Sequence, residues 1–472
     1  MKEYGLFING KWIVTEEKIG VMNKATGSNN AFISVAGEKE VKEAVDAAET
    51  AFKTVKMEPY QRYEILMKVS QILMDNQRKM AEFLSEEVGK PIKEAMAEVA
   101  RAKQTLILSA EEAKRMTGEM VPLEGAPGCG NRLAFTMRMP VGIVCAITPF
   151  NFPLNLACHK IGPALAAGNS VVYKPATVTP LSAVFLCEIF AEAGLPGGYL
   201  NLLTGSGSKL GKFLTEEQRI GFYSFTGSPV VGKHLLENAG FRRVALELGS
   251  NSANIVHHDA DSKVTAELCV KHAFANAGQV CISCQRVYVH RTIYNEFCSQ
   301  AVAYTQNFVM GDPLDPKTDI GPMISEAEAA RAEEWVKEAV AQGAKILAGG
   351  KRRGAWFDPT ILTDVHHDMK IVSMEAFAPV FSIIPYDTIE EAIALVNDSI
   401  YGLQAGVFTN SLEIARLCAM KIETGGVIIN DGATFRTDNM PYGGIKESGI
   451  GKEGPQYAVK EMTEEKLIVF KF

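Results

Sequence analysis

The chain has no second C-x-x-C beside the one formed by Cys281 and Cys284, and no suitably spaced pair of histidines, which argues against a structural zinc site. It also has no long basic block. Lysines and arginines number 48 against 55 aspartates and glutamates, so the net charge is 48 − 55 = −7, and nucleic acid and anionic membranes are poor candidate partners. The opening stretch MKEYGLFINGKW lacks the apolar centre of a signal peptide, and no apolar run approaches the length that spans a bilayer. Nine cysteines, an odd number without a regular framework, suit a reducing compartment, so the expected location is cytoplasmic. Low-complexity tracts and repeats of solenoid period are missing too. What remains is a soluble globular composition, 47% apolar and 22% charged, in a chain whose 472 residues exceed one simple core and imply two to three domains.

Hydrophobic periodicity organises the chain. Asn9-Gly10 predicts a hairpin between Leu6-Phe7-Ile8 and Trp12-Ile13-Val14. Val41, Ala44, Val45, Ala48, Ala51 and Phe52 recur at helical spacing, as do Ile65, Leu66, Val69, Ile72 and Leu73. A third helix is expected from about Pro91, carrying Ile92, Ala95, Met96, Val99, Ala102 and Leu106. From Val141 β-rich runs alternate with helices: Gly142 to Ile147, a helix after Pro153, Ser170 to Tyr173, a helix from Thr179 to Ala193, Tyr199 to Leu203, and Phe222 to Phe225. Such alternation predicts a parallel, doubly wound α/β domain suited to a dinucleotide. Its glycines, Gly205, Gly207 and Gly211 followed by Gly227 and Gly232, do not compose the usual G-x-G-x-x-G. Beyond a hinge expected at Leu248-Gly249-Ser250, strands at Ala253 to Val256, Arg286 to Val289, Phe381 to Pro385, Gly406 to Phe408 and Val427 to Asn430 repeat the pattern in a second domain.

Chemistry concentrates in FANAGQVCISCQR, Phe274 to Arg286, where Cys281 follows a Gly-Gln pair. A deprotonated thiol is a strong nucleophile, although a cysteine is more often a small buried hydrophobe. Cys284 is a candidate to trap oxidised Cys281 as a disulfide. Asn151 follows a strand, where its amide can point into a cleft, or it is simply a turn asparagine. Glu247 reads as a general base or as an ion-pair partner of Arg242 or Arg243. Lys174 ends a strand as either a ligand-binding or a solvated lysine, and Arg101 lies close to an apolar helix stripe, where it needs an anion, as an internal ion-pair member, which its residues favour, or as a substrate anchor. The triplets His257-His258-Asp259 and His366-His367-Asp368 have a metal flavour, but adjacent residues cannot easily share one ion, and no metal site is expected.

The F-x-x-x-G-Q-x-C of Phe274, Gly278, Gln279 and Cys281, together with TPFNFPL and Leu246-Glu247-Leu248-Gly249, resembles the signature of the NAD(P)-dependent aldehyde dehydrogenase family, whose motifs follow in order along nearly the whole chain. The resemblance implies two doubly wound α/β domains, a Rossmann-like cofactor domain over 1–118 and 139–247 and a catalytic domain over 248–445. A small β oligomerisation element is implied over 119–138 and 446–472. It also implies Cys281 as nucleophile, Asn151 as oxyanion donor and Glu247 as the base that hydrolyses a thioester, a residue that relatives acylating coenzyme A lack. For NAD or NADP it implies Phe150, Lys174, Thr177, Gly205, Thr226, Gly227, Ser228, Glu375 and Phe377. Thr177 stands where strictly NAD-using relatives often carry a glutamate, so a 2′-phosphate is allowed. Two features depart from the family pattern: Ser250 follows Gly249, and Ala378 stands where many relatives have glycine.

The stretch from Thr434 to Lys446, with F-R-x-D-x-M-P-Y-G-G, resembles the branch acting on lactaldehyde, glyceraldehyde 3-phosphate and related short hydroxyaldehydes. Arg436, with Arg101 on the opposite wall and Phe152 beside them, would clamp a carboxylate, phosphate or sulfonate, sulfolactaldehyde being one candidate. In the bland alternative Arg436 pairs with Asp438. Succinate-semialdehyde-type or broad-range oxidation, coenzyme A acylation and a non-catalytic scaffold are the alternatives. The family resemblance further implies that a strand over 132–138 pairs with Leu467 to Phe472 of a neighbouring subunit in a homodimer or homotetramer.

Overall fold

The computed structural model describes residues 1–472 and is built on two large, mainly parallel sheets. In the first, the strands run in the order Gly449–Ile450, Arg243–Glu247, Ile220–Thr226, Ile143–Ile147, Ser170–Lys174, Leu200–Leu202, Leu6–Ile8 and Lys11–Ile13. The middle five are parallel, and the chain enters at Ile143–Ile147, steps one way to Ser170–Lys174 and Leu200–Leu202, then back past its start to Ile220–Thr226 and Arg243–Glu247. That reversal opens a crevice at the carboxyl ends of Ile143–Ile147 and Ile220–Thr226. The hairpin at Asn9-Gly10 is present, with both turn residues at positive φ (52° and 74°) as a tight two-residue connection requires.

The second sheet runs Lys345–Ala348, Thr360–Thr363, Val380–Tyr386, Arg286–His290, Ala253–Val256, Gln404–Phe408 and Gly426–Ile429, parallel except at the Lys345–Ala348 edge. The α/β expectation thus holds for both halves. The helical stripes also bury the faces they predict: Val41, Ala44, Val45, Ala48 and Ala51 in Glu38–Thr54, and Leu66, Val69, Ile72 and Leu73 in Pro59–Asp75. Among the helices that the sequence analysis does not name is Gln77–Val88, although its buried Met80, Ala81, Leu84 and Val88 carry the same spacing. Helix Asn155–Ala166 is buried at every residue, because the first sheet covers one side of it and Ile92–Ala113 another.

One expectation is overturned. Strand Arg132–Pro140 does pair with the chain's end, Thr463–Lys471, in an antiparallel ladder from Thr463↔Pro140 to Lys471↔Arg132, but both strands belong to one chain. Helix Pro455–Glu461 brings the end home, and the Met462 carbonyl accepts from Val141 N and Asn169 Nδ2, which fixes the register before the ladder begins. Leu133, Met137, Met139, Leu467, Val469 and Phe470 remain exposed on this three-stranded sheet.

Candidate active site

Cys281 sits behind three successive residues in the left-handed region, Asn276 (φ 49°), Ala277 (φ 53°) and Gly278 (φ 70°). Such a run costs the non-glycine residues free energy and persists only where the surroundings enforce it. Here they do. Asn276 N donates to Glu94, its side chain donates to the Asn151 and Gln279 carbonyls, and the Gln279 side chain joins the Asn276 carbonyl to Ile324 N. A Cβ on Gly278 would stand 1.9 Å from the Ala378 carbonyl oxygen, so only glycine fits.

The turn aims Cys281, partly exposed, into a cavity of about 1070 Å³ between the two sheets. Its walls include Phe150, Asn151, Phe152, Lys174, Thr226, Gly227, Ser228, Glu247, Glu375, Phe377, Arg101 and Arg436, so twelve residues singled out from sequence converge with Cys281 on one space. Thr177 and Gly205 do not line it. The Thr177 hydroxyl donates to the Gly205 carbonyl at 2.8 Å, so these two fasten neighbouring loops to each other. Sequence reasoning missed Ala176, Val178, Ser208, Lys212, Val230 and His234 in that part of the wall; the signal was there in their neighbourhood to the imperfect glycine loops.

Electrostatics around the sulfur are set by burial. Burial pushes the Cys281 thiol up to about 11, against the pull of the Tyr442 hydrogen bond and Arg436, and Glu375 and Glu247 add to the rise. Glu247 is held well above the ordinary carboxylate range by burial first and by Glu453 second. Neither Arg242 nor Arg243 relieves it. Arg242 is spent on the Thr215, Glu217, Asn238 and Ala239 carbonyls and the Tyr223 hydroxyl, and Arg243 reaches Glu461 and Glu464, while Glu247 Oε2 has no partner. The ion-pair reading of Glu247 therefore falls. Asn151 Nδ2 donates to the Gln279 carbonyl at 2.9 Å, which leaves its second N–H unspent.

Glu375 accepts from Ser250 N at 2.9 Å and is pushed up to about 7 by burial, and Phe377 (φ 47°) meets Phe150 edge to face at 5.8 Å. Lys174 is buried, which pulls it down to about 8, and its Nζ finds only the Pro175 carbonyl. Ser228 caps helix Pro229–Ala239. Cys284, by contrast, is buried in the core of the second half, with Asn254 Nδ2 at 2.8 Å from its sulfur and Cys269 beside it, and it does not line the cavity.

Both arginines have carboxylate partners: Arg101 is in the ion pair that its place beside an apolar stripe suggests, whereas Arg436 does not pair with Asp438. Arg101 grips Asp438 through two hydrogen bonds (2.8 and 3.2 Å), and the same carboxylate takes Asn155 Nδ2 at 3.0 Å and His159 Nε2 at 2.9 Å. Burial opposes that charge, yet the His159 and Arg101 hydrogen bonds hold Asp438 well below the usual range. Arg436 therefore finds its partner elsewhere: it donates to Glu453 at 2.9 Å and its guanidinium carbon lies over the Tyr442 ring, 3.7 Å from its centre, with its buried Nε unpaired.

A family model described as "Aldehyde dehydrogenase family" matches residues 12–468. A 3-sulfolactaldehyde dehydrogenase from Priestia aryabhattai is 56% identical over 469 residues, covering 99% of this chain and 98% of that one. A lactaldehyde dehydrogenase from Methanococcus maripaludis is 42% identical over 469 residues, covering 98% and 99%. Among solved structures, glyceraldehyde-3-phosphate dehydrogenase GapN from Methanocaldococcus jannaschii complexed with NADP is 40% identical and superposes with a TM-score of 0.93, covering 97% of this chain and 100% of that one.

Proposed function

Given that the chain belongs to the aldehyde dehydrogenase family and is an NAD(P)-dependent oxidoreductase, we propose that it oxidises a short 2-hydroxyaldehyde with an anionic group on C3 to the free acid. Sulfolactaldehyde is the first candidate substrate and glyceraldehyde 3-phosphate the second. The observation that carries this reading is Arg436, a buried guanidinium on the cavity wall whose Nε has no acceptor, with Arg101 lining the same cavity. Arg101 pairs with Asp438, and Arg436 shares Glu453 with Lys160, so Arg436 does not have that carboxylate to itself, which supports room for a substrate anion beside it.

The residues on the wall fit NAD(P). Helices Gly207–Glu216 and Pro229–Ala239 begin at the cavity wall, the first with no side-chain cap on its N-terminal amides, which suits a phosphate, and Phe150, Phe377 and Glu375 suit a ring and a ribose. Lys174 and Lys212 line the part beside Ala176 and Val178, where the cavity wall carries no carboxylate, which supports admission of a 2′-phosphate as well as its absence. When bound, NAD(P) supplies the hydride acceptor.

The chain's own residues supply the rest. The Cys281 thiolate adds to the aldehyde carbon, and the free Asn151 N–H donates to the oxygen that becomes negative. Once the acyl group is a thioester on Cys281, Glu247 in its deprotonated form takes a proton from water, whose oxygen attacks the acyl carbon and releases the acid and the thiol. The unpartnered Oε2 of Glu247 supports this role and supports hydrolysis over transfer to coenzyme A. The division into a cofactor domain (1–118 and 139–247), a catalytic domain (248–445) and an assembly element (119–138 and 446–472) belongs to the same reading. So does a cytoplasmic homodimer or homotetramer, supported by the exposed apolar residues of the small sheet; no helix is long and apolar enough to cross a membrane.

Initial rates of reduced-cofactor formation with sulfolactaldehyde or glyceraldehyde 3-phosphate against neutral lactaldehyde test the reading. A preference for the anion of about tenfold or more, lost in Arg436→Ala, is the expected outcome. Equal or better turnover of lactaldehyde would sink it. That second reading, a neutral hydroxyaldehyde, is favoured by one observation: both guanidinium groups already hold carboxylates.

A further inference from the structure

We propose that Tyr442 is a further catalytic residue, whose hydroxyl donates a hydrogen bond to the Cys281 thiolate while Arg436, stacked on the ring, strengthens the donation. The proposal rests on Cys281 being the nucleophile. Tyr442 Oη lies 3.0 Å from Cys281 Sγ, and neither atom has another hydrogen-bond partner. A buried phenol needs a partner, and this one, 3% exposed, has only the sulfur.

The direction of donation follows from chemistry. A thiolate has no proton to give, so in the reactive state the phenol must be the donor. It stays a phenol to do so, because burial first, and Cys281 and Glu247 after it, push its ionisation well above the ordinary tyrosine value. The guanidinium 3.7 Å above the ring withdraws electron density from the aromatic face and adds positive potential at the sulfur. The pair is held rigidly. Tyr442 N and Glu453 N each donate to the other's carbonyl, and Glu453 in turn fixes Arg436, so the donor is in place before any aldehyde arrives. The other charges facing the sulfur, Glu375 and Glu247, oppose ionisation, and Glu453, Lys160 and Lys452 act on Glu247. Tyr442 and Arg436 are therefore the groups that favour the thiolate directly.

The test is the pH dependence of Cys281 alkylation by iodoacetamide in the cofactor-free enzyme, followed at that cysteine by peptide mass spectrometry, in wild type and Tyr442→Phe. Phenylalanine keeps the ring and the stacked guanidinium and removes only the hydroxyl. The midpoint is expected to rise by about one pH unit, so that alkylation at neutral pH slows about tenfold. An unchanged midpoint would make Tyr442 a wall of the pocket and nothing more. A lowered one would mean that the phenol accepts the S–H and locks the thiol, which also overturns the proposal. Retention of dehydrogenase activity by Cys281→Ser would overturn the nucleophile reading instead, whatever Tyr442→Phe does.

Discussion

The two large sheets meet the cavity with opposite ends. The first follows the rule for open α/β sheets: Asn151 follows Ile143–Ile147, and Lys174, Thr226 and Glu247 each terminate a strand, so they stand at carboxyl ends. The second breaks it. Cys281 precedes Arg286–His290, and Glu375 and Phe377 precede Val380–Tyr386, so that sheet offers the loops before its strands. Its carboxyl ends carry His257, His290 and Tyr386 instead, with His258 alongside. There His257 Nδ1 meets Tyr386 Oη at 2.9 Å, the rings pack on one another, and Asp259 is taken up by Thr409 and Asn410. Those polar groups answer each other, whereas Glu247, Arg436 and Asn151 keep unspent acceptors and donors. What separates a site from a well-made end of a sheet is this surplus, and the rule about strand ends does not supply it.

The comparison breaks first if the wrong end matters. Cys281→Ser is expected to cut turnover by about a thousandfold or more, measured as reduced-cofactor formation at saturating aldehyde. Glu247→Gln is expected to lower steady-state turnover by about a hundredfold or more while leaving a first-turnover burst, because the thioester still forms. Its pH signature has a definite sign. Burial raises the Glu247 ionisation, the base acts only when deprotonated, and wild-type turnover therefore climbs with pH through that raised value, a climb that the glutamine variant lacks. The smallest effect belongs to the opposite end: Tyr386→Phe is expected to leave kcat/KM within about twofold and to cost roughly 1 kcal/mol of stability in denaturant unfolding. A large loss of activity there would erase the distinction drawn between the two ends.

Much of this was legible in the chain. Strands announced themselves as β-rich runs, and the residues closing them fell into place at the cavity because their side chains end where the run ends. Pairings across long separations were not legible. Arg101 lies 337 residues from Asp438, and the stripe of its helix reveals a half-buried guanidinium without revealing which carboxylate meets it. Nor did Arg436 choose Asp438, two residues away. That carboxylate was already filled by Arg101, Asn155 and His159, contributions of two helices that no local pattern connects to it. Thr177 reads as a ribose contact by position, yet its hydroxyl finds a nearer acceptor in Gly205. Helix Gln77–Val88 carries the periodicity in Met80, Ala81, Leu84 and Val88, a short stripe in an otherwise polar run.

The left-handed turn before Cys281 bears on how the enzyme matures. Asn276 leans on Glu94 and Asn151 from the first half of the chain, and Gly278 abuts Ala378 about a hundred residues downstream in the second. A nascent polypeptide with one half formed has nothing to hold that turn, and its cysteine is an ordinary thiol. What arrives last is the placement of that sulfur against Asn151 and Glu247 on one cavity wall, which only the docking of both halves provides.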